Sequence, residues 1–186
     1  MSGPSEVYFF PSADARTYRP NVISTLSPTC LGTEIAAVAS AAPATGAWMV
    51  ANGALYLPFT LSEGLLVTQL FTYNGNAVSG NIDIAIYDDA LVRLVTAGTT
   101  AQAGTNVIQE FNVTDTYLAP GRYTFGVALD NATGELFMVT ASVVLLKVMG
   151  VASQATAFVL PNPSVPATVV THTKIPLIGL TGRSFV

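Results

Sequence analysis

The side chains able to do chemistry in this chain are few, and their spacing suits little of it. His172 is the sole histidine, so a Ser-His-Asp or Cys-His arrangement would have to use it. It sits among threonines in a proline-rich stretch, where nothing supplies the rigid support a catalytic site needs. Cys30 is the sole cysteine, which excludes an internal disulfide and a cysteine-based zinc site and suits a small buried filler. Asp83, Asp88 and Asp89 offer oxygens to calcium, but that ion takes about six to eight of them from several loops. Asp88-Asp89 has the simpler task of opening a turn, and Asp83 falls by alternation on the solvent face of its strand. Asp83 and Glu110 on neighbouring strands would serve glycoside hydrolysis only if held about 5–10 Å apart across a cleft. Trp48, Tyr73, Tyr87 and Tyr117 could stack on sugar rings, against the plainer reading that they are part-buried strand residues. No phosphate-binding loop, dinucleotide fingerprint or metal-ligand spacing occurs. The expectation is a protein that is not an enzyme, with no catalytic residue, cofactor or metal.

The elements that would position these residues are strands. Asn81-Ile82-Asp83-Ile84-Ala85-Ile86-Tyr87 alternates isoleucine with residues that tolerate water, the period of two of a half-buried strand. Arg122 to Leu129 does the same with Tyr123, Phe125, Val127 and Leu129. Leu65 to Tyr73 closes at Asn74-Gly75, Val107 to Val113 is a further strand, and Leu118-Ala119-Pro120-Gly121 turns the chain. Asn52-Gly53 separates two short strands at 48–50 and 54–60, and Leu91 to Ala97 follows Asp88-Asp89 as a hairpin partner. Leu136 to Val148 reads as one long apolar strand or a pair. The spacing predicts an all-β fold, an antiparallel β-sandwich of jelly-roll type over 48–150. Ile82, Ile84, Ile86, Tyr123, Phe125, Val127 and Leu129 are expected to line its core.

The flanks differ in character. Residues 1–47 carry Pro4, Pro11, Pro20 and Pro28 among Tyr8, Phe9, Phe10 and Tyr18, which reads as an extended N-terminal arm. Within it, 34–47 reads as a short alanine-rich helix, with a strand as the alternative. Residues 151–186 are punctuated by Pro161, Pro163, Pro166 and Pro176 and read as an extended C-terminal arm. Tyr8, Phe9, Phe10, Tyr18, Ile175, Leu177, Ile178, Leu180 and Phe185 are the residues expected to contact neighbouring polypeptides, because apolar extended segments left in water promote aggregation.

Composition agrees with a protein covered by others. Apolar residues make up 51% and charged residues 10% of the chain, and mean hydropathy is +0.52. The usual charged share is about 25%. Net charge is −4, with eight acids between Tyr56 and Glu135 against Arg93 and Arg122. No cluster of lysine and arginine exists to neutralise phosphates, so nucleic acid is not an expected partner. The apolar run Leu136 to Ala152 is interrupted by Lys147 and falls short of the roughly 20 residues that span a bilayer, so no membrane partner is expected. The first residues lack the basic and apolar regions of a signal peptide, which predicts synthesis in a reducing cytoplasm.

The segment Tyr73 to Asp88, continuing through Leu94 to Thr105 and Leu118 to Tyr123, resembles a strand–turn–strand unit of structural proteins of tailed bacteriophages. The resemblance covers only the middle of the chain, and similar strings occur in carbohydrate-binding sandwiches. It implies a virion protein assembled in the bacterial host cytoplasm, most simply a capsid decoration (cement) or head-spike subunit. Homotrimers and contact with the major capsid protein come with that reading. The alternative is a glycan- or receptor-binding module of a tail fibre or baseplate.

Overall fold

The structure, a computed structural model, describes residues 19–25, 44–166, 168–169 and 173–184. Its elements in chain order are strands β1 (Arg19–Ser24), β2 (Ala44–Ala47), β3 (Ala54–Leu61), β4 (Leu65–Tyr73), β5 (Asn81–Tyr87), β6 (Arg93–Thr96), β7 (Thr100–Ala101), β8 (Ile108–Leu118), β9 (Gly121–Leu129) and β10 (Glu135–Thr140). Helix α1 (Val143–Val148) follows, then β11 (Ala152–Gln154), β12 (Thr168–Val169), β13 (Lys174–Pro176) and β14 (Ile178–Ser184). Every ladder is antiparallel. They form a four-stranded sheet in the order β1-β14-β4-β8 and a three-stranded sheet β13-β10-β2. The largest sheet runs β12-β11-β3-β9-β5-β6, with β7 also on β5. The chain is therefore an all-β protein whose antiparallel sheets make a sandwich-like arrangement.

The alternation in β5 and β9 places the core where the sequence does. Ile82, Ile84, Ile86, Phe125, Val127 and Leu129 are buried together with Leu65, Val67, Leu70 and Phe111 of the facing sheet. Tyr123 is half-buried at the margin, its ring 5.8 Å from Phe59. The Leu118-Ala119-Pro120-Gly121 turn carries the chain from β8 in one sheet to β9 in the other. Pro58 has no N–H to give a ladder, and β11 pairs β3 only over Ala54–Tyr56, stopping short of it. The edge of β8 is guarded too: exposed Glu110 and Asp115 lie along it, and its register with β4 breaks between Val67 and Gln69. Charge and bulge both discourage pairing with a further strand.

Several expectations differ from what forms. Residues 44–47, placed in a helix by the alanine content, are a strand on β10. Trp48 to Val50 form no strand. The apolar run from Leu136 breaks after Thr140 and becomes a helix, because Ser142 caps it by accepting the Leu145 N–H at 3.1 Å and Gly150, at φ +77°, ends it.

The largest difference lies at the C-terminal end. Residues 151–186 are not a free arm over their described part: β14 lies between β1 and β4, pairing along seven residues of β4 and six of β1. Ile178 and Leu180 are buried in the common core, as is Ile175 from β13, so their apolar alternation is spent within the chain. Leu177 is half-buried and joins two sheets, since its carbonyl accepts the Tyr73 N–H at 3.0 Å and its N–H donates to the Phe137 carbonyl at 2.8 Å. β1 likewise makes residues 19–24 part of the sandwich. Tyr8, Phe9, Phe10, Tyr18 and Phe185, with Cys30 and His172, lie outside the described residues.

Candidate functional site

Three loops meet at one end of the sandwich, at 74–80, 98–107 and 130–134, and their side chains tie them to one another. Asn74 is buried; its amide nitrogen donates to the Ala103 carbonyl at 2.7 Å and to Gln109 Oε1 at 2.9 Å, while its oxygen accepts from Thr72 Oγ1 and Gln102 Nε2. Gln102 also donates to the Glu135 carbonyl at 2.7 Å and accepts the Ser79 N–H at 3.0 Å. Asn131 holds the third loop to the first through the Ser79 carbonyl, at 2.7 Å. Asp130 accepts both the backbone N–H and the side-chain amide of Asn81, at 3.0 and 2.8 Å. The Asn81 backbone bond leads the interactions that hold the Asp130 carboxyl below the usual range. Gly80 is required here: its φ is +66°, and a Cβ would meet the Asp130 and Asn131 side chains. Satisfied amide networks of this kind fix loops rigidly.

Beside this network lies a surface with the ingredients of a binding patch. Tyr73 and Phe137 are half-buried and stacked, with ring centroids 4.2 Å apart and planes within 11°. Asn76 is exposed next to them; its N–H donates to Glu135 Oε2 at 3.1 Å and its side-chain amide to Thr45 Oγ1 at 2.9 Å. Thr45 is paired in register with Phe137, so hydroxyl, amide, carboxylate and ring edge are set by one strand pair and one loop. No lysine or arginine occurs in residues 71–81, 98–112 or 129–137.

The opposite face of the largest sheet holds a polar cluster that alternation misplaces. Asp83 is fully buried, not on a solvent face, because residues 155–166 cross over it as an irregular strap. Asp83 Oδ2 accepts the Leu160 N–H at 3.0 Å and Oδ1 accepts Thr96 Oγ1 at 3.4 Å. Arg93 donates to the Leu160 carbonyl at 2.7 Å, the Tyr87 hydroxyl to the Pro161 carbonyl at 2.8 Å, and the Tyr56 hydroxyl to Gln154 Oε1 at 2.9 Å. Burial pushes the Asp83 carboxyl above its ordinary range, against the lowering effects of the Leu160 N–H and of Arg93. Burial also raises the Tyr56 phenol to about 12 and drives Tyr87 the same way, so both stay protonated donors.

The remaining candidates separate. Trp48 and Tyr87 are buried, Tyr73 is in the stacked pair, and Tyr117 is exposed at the far end of β8. Asp83 and Glu110 belong to different sheets, β5 and β8, and do not face each other as a carboxylate pair. Asp88 performs its turn role, its Oδ1 accepting the Ala90 and Val92 N–H groups at 2.9 and 2.8 Å. Among the described residues no group of three or more His, Cys, Asp or Glu side chains is placed to hold a metal, and no helix is long and apolar enough to cross a membrane. The sequence reading singled out Tyr73 but missed Phe137, Asn76 and Thr45, which sit at different places in the chain and meet only through strand pairing.

No protein-family model matches the chain, and no curated protein does. Among solved structures, a fucose-binding module of Streptococcus pneumoniae aligns with 45% of this chain and 61% of its own, at 16% identity and a TM-score of 0.32. The chain thus spans less than two thirds of that module, and an overlay of this extent passes neither a fold family nor a ligand to it.

Proposed function

We propose that this chain is a non-enzymatic glycan- or receptor-binding module of a phage virion, carried on a tail fibre or baseplate, and that it reads its ligand with Tyr73, Phe137, Asn76, Thr45 and Glu135. The observation that carries the reading is the stacked, half-exposed Tyr73–Phe137 pair beside polar groups that are already fixed. Sugars are bound by an apolar ring face and a few preorganised hydrogen-bonding groups, which lowers the ordering cost of association. The polar groups of the patch are a carboxylate, an amide and a hydroxyl, and the carboxylate disfavours an anionic ligand, so the ligand class is a neutral saccharide. The phage assignment rests on the resemblance of the middle segment alone.

The capsid-decoration reading drew on the resemblance, the low charge and two extended arms. With β14 paired to β1 and β4 inside the sandwich, the C-terminal arm no longer supports it, and the stacked pair favours the binding module. Glycan-array binding by the intact chain tests this. Tyr73→Ala and Asn76→Ala are expected each to weaken binding by about tenfold or more while leaving the β-type circular dichroism spectrum unchanged. Absence of any bound glycan, or binding untouched by both changes, overturns the proposal. Quantitative mass spectrometry of intact particles places it on the tail if copies match a tail organelle, and returns it to the head if they match the shell lattice.

A further inference from the structure

The strap at 155–166 is attached to the sheet mainly through side chains. Its ladder-type support is slight: Ala157 N–H donates to the Asn52 carbonyl at 2.6 Å and Ser164 N–H to the Leu91 carbonyl at 3.0 Å. The strongest grip is on one residue. Asp83 takes the N–H of Leu160 and Arg93 takes its carbonyl, so neighbouring strands β5 and β6 clamp both polar groups of that residue with side chains. Arg93 N–H adds a bond to Asn162 Oδ1 at 2.9 Å.

Beneath lies a trough floored by Ala54, Ala85 and Ala128, walled by Tyr56 and Tyr87 and filled by Ala157 and Leu160. This cluster is separate from the main core and much smaller. Val159 and Val165 point to solvent, and Ser164 Oγ is buried beside the Tyr56 phenol without a well-formed hydrogen bond. Few ladder bonds, a small apolar contact and a hydroxyl without a well-formed partner are the marks of a segment that opens before the whole domain unfolds.

We propose that residues 155–166 form a hinged cover, latched by the Asp83–Arg93 clamp on Leu160, which opens as one piece to bare the Tyr56–Tyr87 trough and closes more tightly in acid than at neutral pH. The sign follows from what faces Asp83. Among the described residues Arg93 of β6 is the one cation facing it, Tyr56 of β3 and Tyr87 of β5 are neutral phenols, β9 presents Ala128 opposite it, and the strap and β11 carry no charge. Opening gives the carboxylate back to water. An acid whose pKa is raised when covered binds its proton more readily closed than open, so rising pH through that raised pKa favours opening, by at most about tenfold per pH unit.

Native-state hydrogen exchange on the intact protein tests this, with rates corrected for the intrinsic pH dependence of exchange. The Ala157 and Leu160 amides are expected to exchange by an opening that leaves the Phe125 amide of central strand β9 protected, and their protection is expected to fall as pH rises from acid to neutral. Asp83→Asn, which keeps an acceptor for the Leu160 N–H, is expected to abolish that pH dependence. Strap amides that exchange only together with Phe125, or a wild-type protection that does not change or rises with pH, overturn the proposal. Should Asp83→Asn not fold, the wild-type profile decides alone, and Tyr87→Phe, which removes the bond to Pro161, is expected to speed strap exchange without speeding that of Phe125.

Discussion

On one side of β5, Ile82, Ile84 and Ile86 lie in a core built by residues of all three sheets; on the other, Asp83, Ala85 and Tyr87 lie under a strap with no regular structure. The first side is held by apolar area, which is non-directional and accumulates with every methyl group buried. The second is held by side chains that reach out and hold a backbone, with small residues beneath to let it approach. Area tolerates adjustment; a clamp on one residue does not. The same strand therefore carries part of the main core on one side and, on its reverse, the face that the strap covers.

The greatest expected effect comes from breaking the first side. Ile84→Asp removes a fully buried isoleucine and puts an unpaired charge in its place, at a cost of about 3 kcal/mol or more. The expected outcome is loss of the cooperative urea transition and of the native circular dichroism signal; retention of both would show that the core is not where Ile84 sits.

A smaller effect tests the second side without adding charge. Tyr56 and Tyr87 meet edge-to-face at 5.7 Å over Gly126, and a Cβ there would come within 2.7 Å of Tyr87 Cε2 and 3.4 Å of Tyr56 Cε1. Neither ring can give freely, since each phenol is tied by its hydrogen bond to Pro161 or Gln154. Gly126→Ala is expected to cost about 1–3 kcal/mol by overpacking, read as a shift of the urea midpoint with the slope unchanged. A change within error would mean that the strap side is loose enough to absorb a methyl group.

The contrast also explains which parts of the molecule the sequence makes legible. Ile82 to Ile86 and Phe125 to Leu129 declare a core-facing side because period two is written into adjacent residues, and Asn74-Gly75 and Leu118-Ala119-Pro120-Gly121 declare turns by local chemistry. The reverse face is illegible for the same reason. Alternation says that Asp83 points away from the isoleucines, but the chain that covers it is 77 residues further on. β14 is hidden likewise: Ile178-Gly179-Leu180 reads as an apolar tail until its partners in β1 and β4 are known. Helix α1 did carry a signal, Ser142 before the apolar run and Gly150 after it, which outweighs the strand-like composition between them. Of the proposed binding patch only Tyr73 is visible in advance, because Phe137, Asn76 and Thr45 acquire meaning from register alone.

The smallest expected effect compares the two buried-side and loop-side carboxylates by pH. Asp83 has its folded pKa raised by burial, so its contribution to stability is full below its unfolded pKa and is lost as pH rises through the folded value. Asp130 has its folded pKa lowered, the Asn81 N–H being the largest cause, so its contribution is present above its unfolded pKa and is lost as pH falls through the folded value. The two therefore pull in opposite directions across the acidic range. Urea midpoints of wild type, Asp83→Asn and Asp130→Asn, followed from about pH 3 to about pH 7, resolve them. Relative to wild type, Asp83→Asn is expected to gain stability as pH rises and Asp130→Asn to lose it. Difference curves of the same sign would mean that one carboxylate sits in the other's kind of environment. The Asp83 curve is the one at stake, because a flat curve would mean that Arg93 and the hydrogen bonds from Leu160 and Thr96 offset the whole cost of burial.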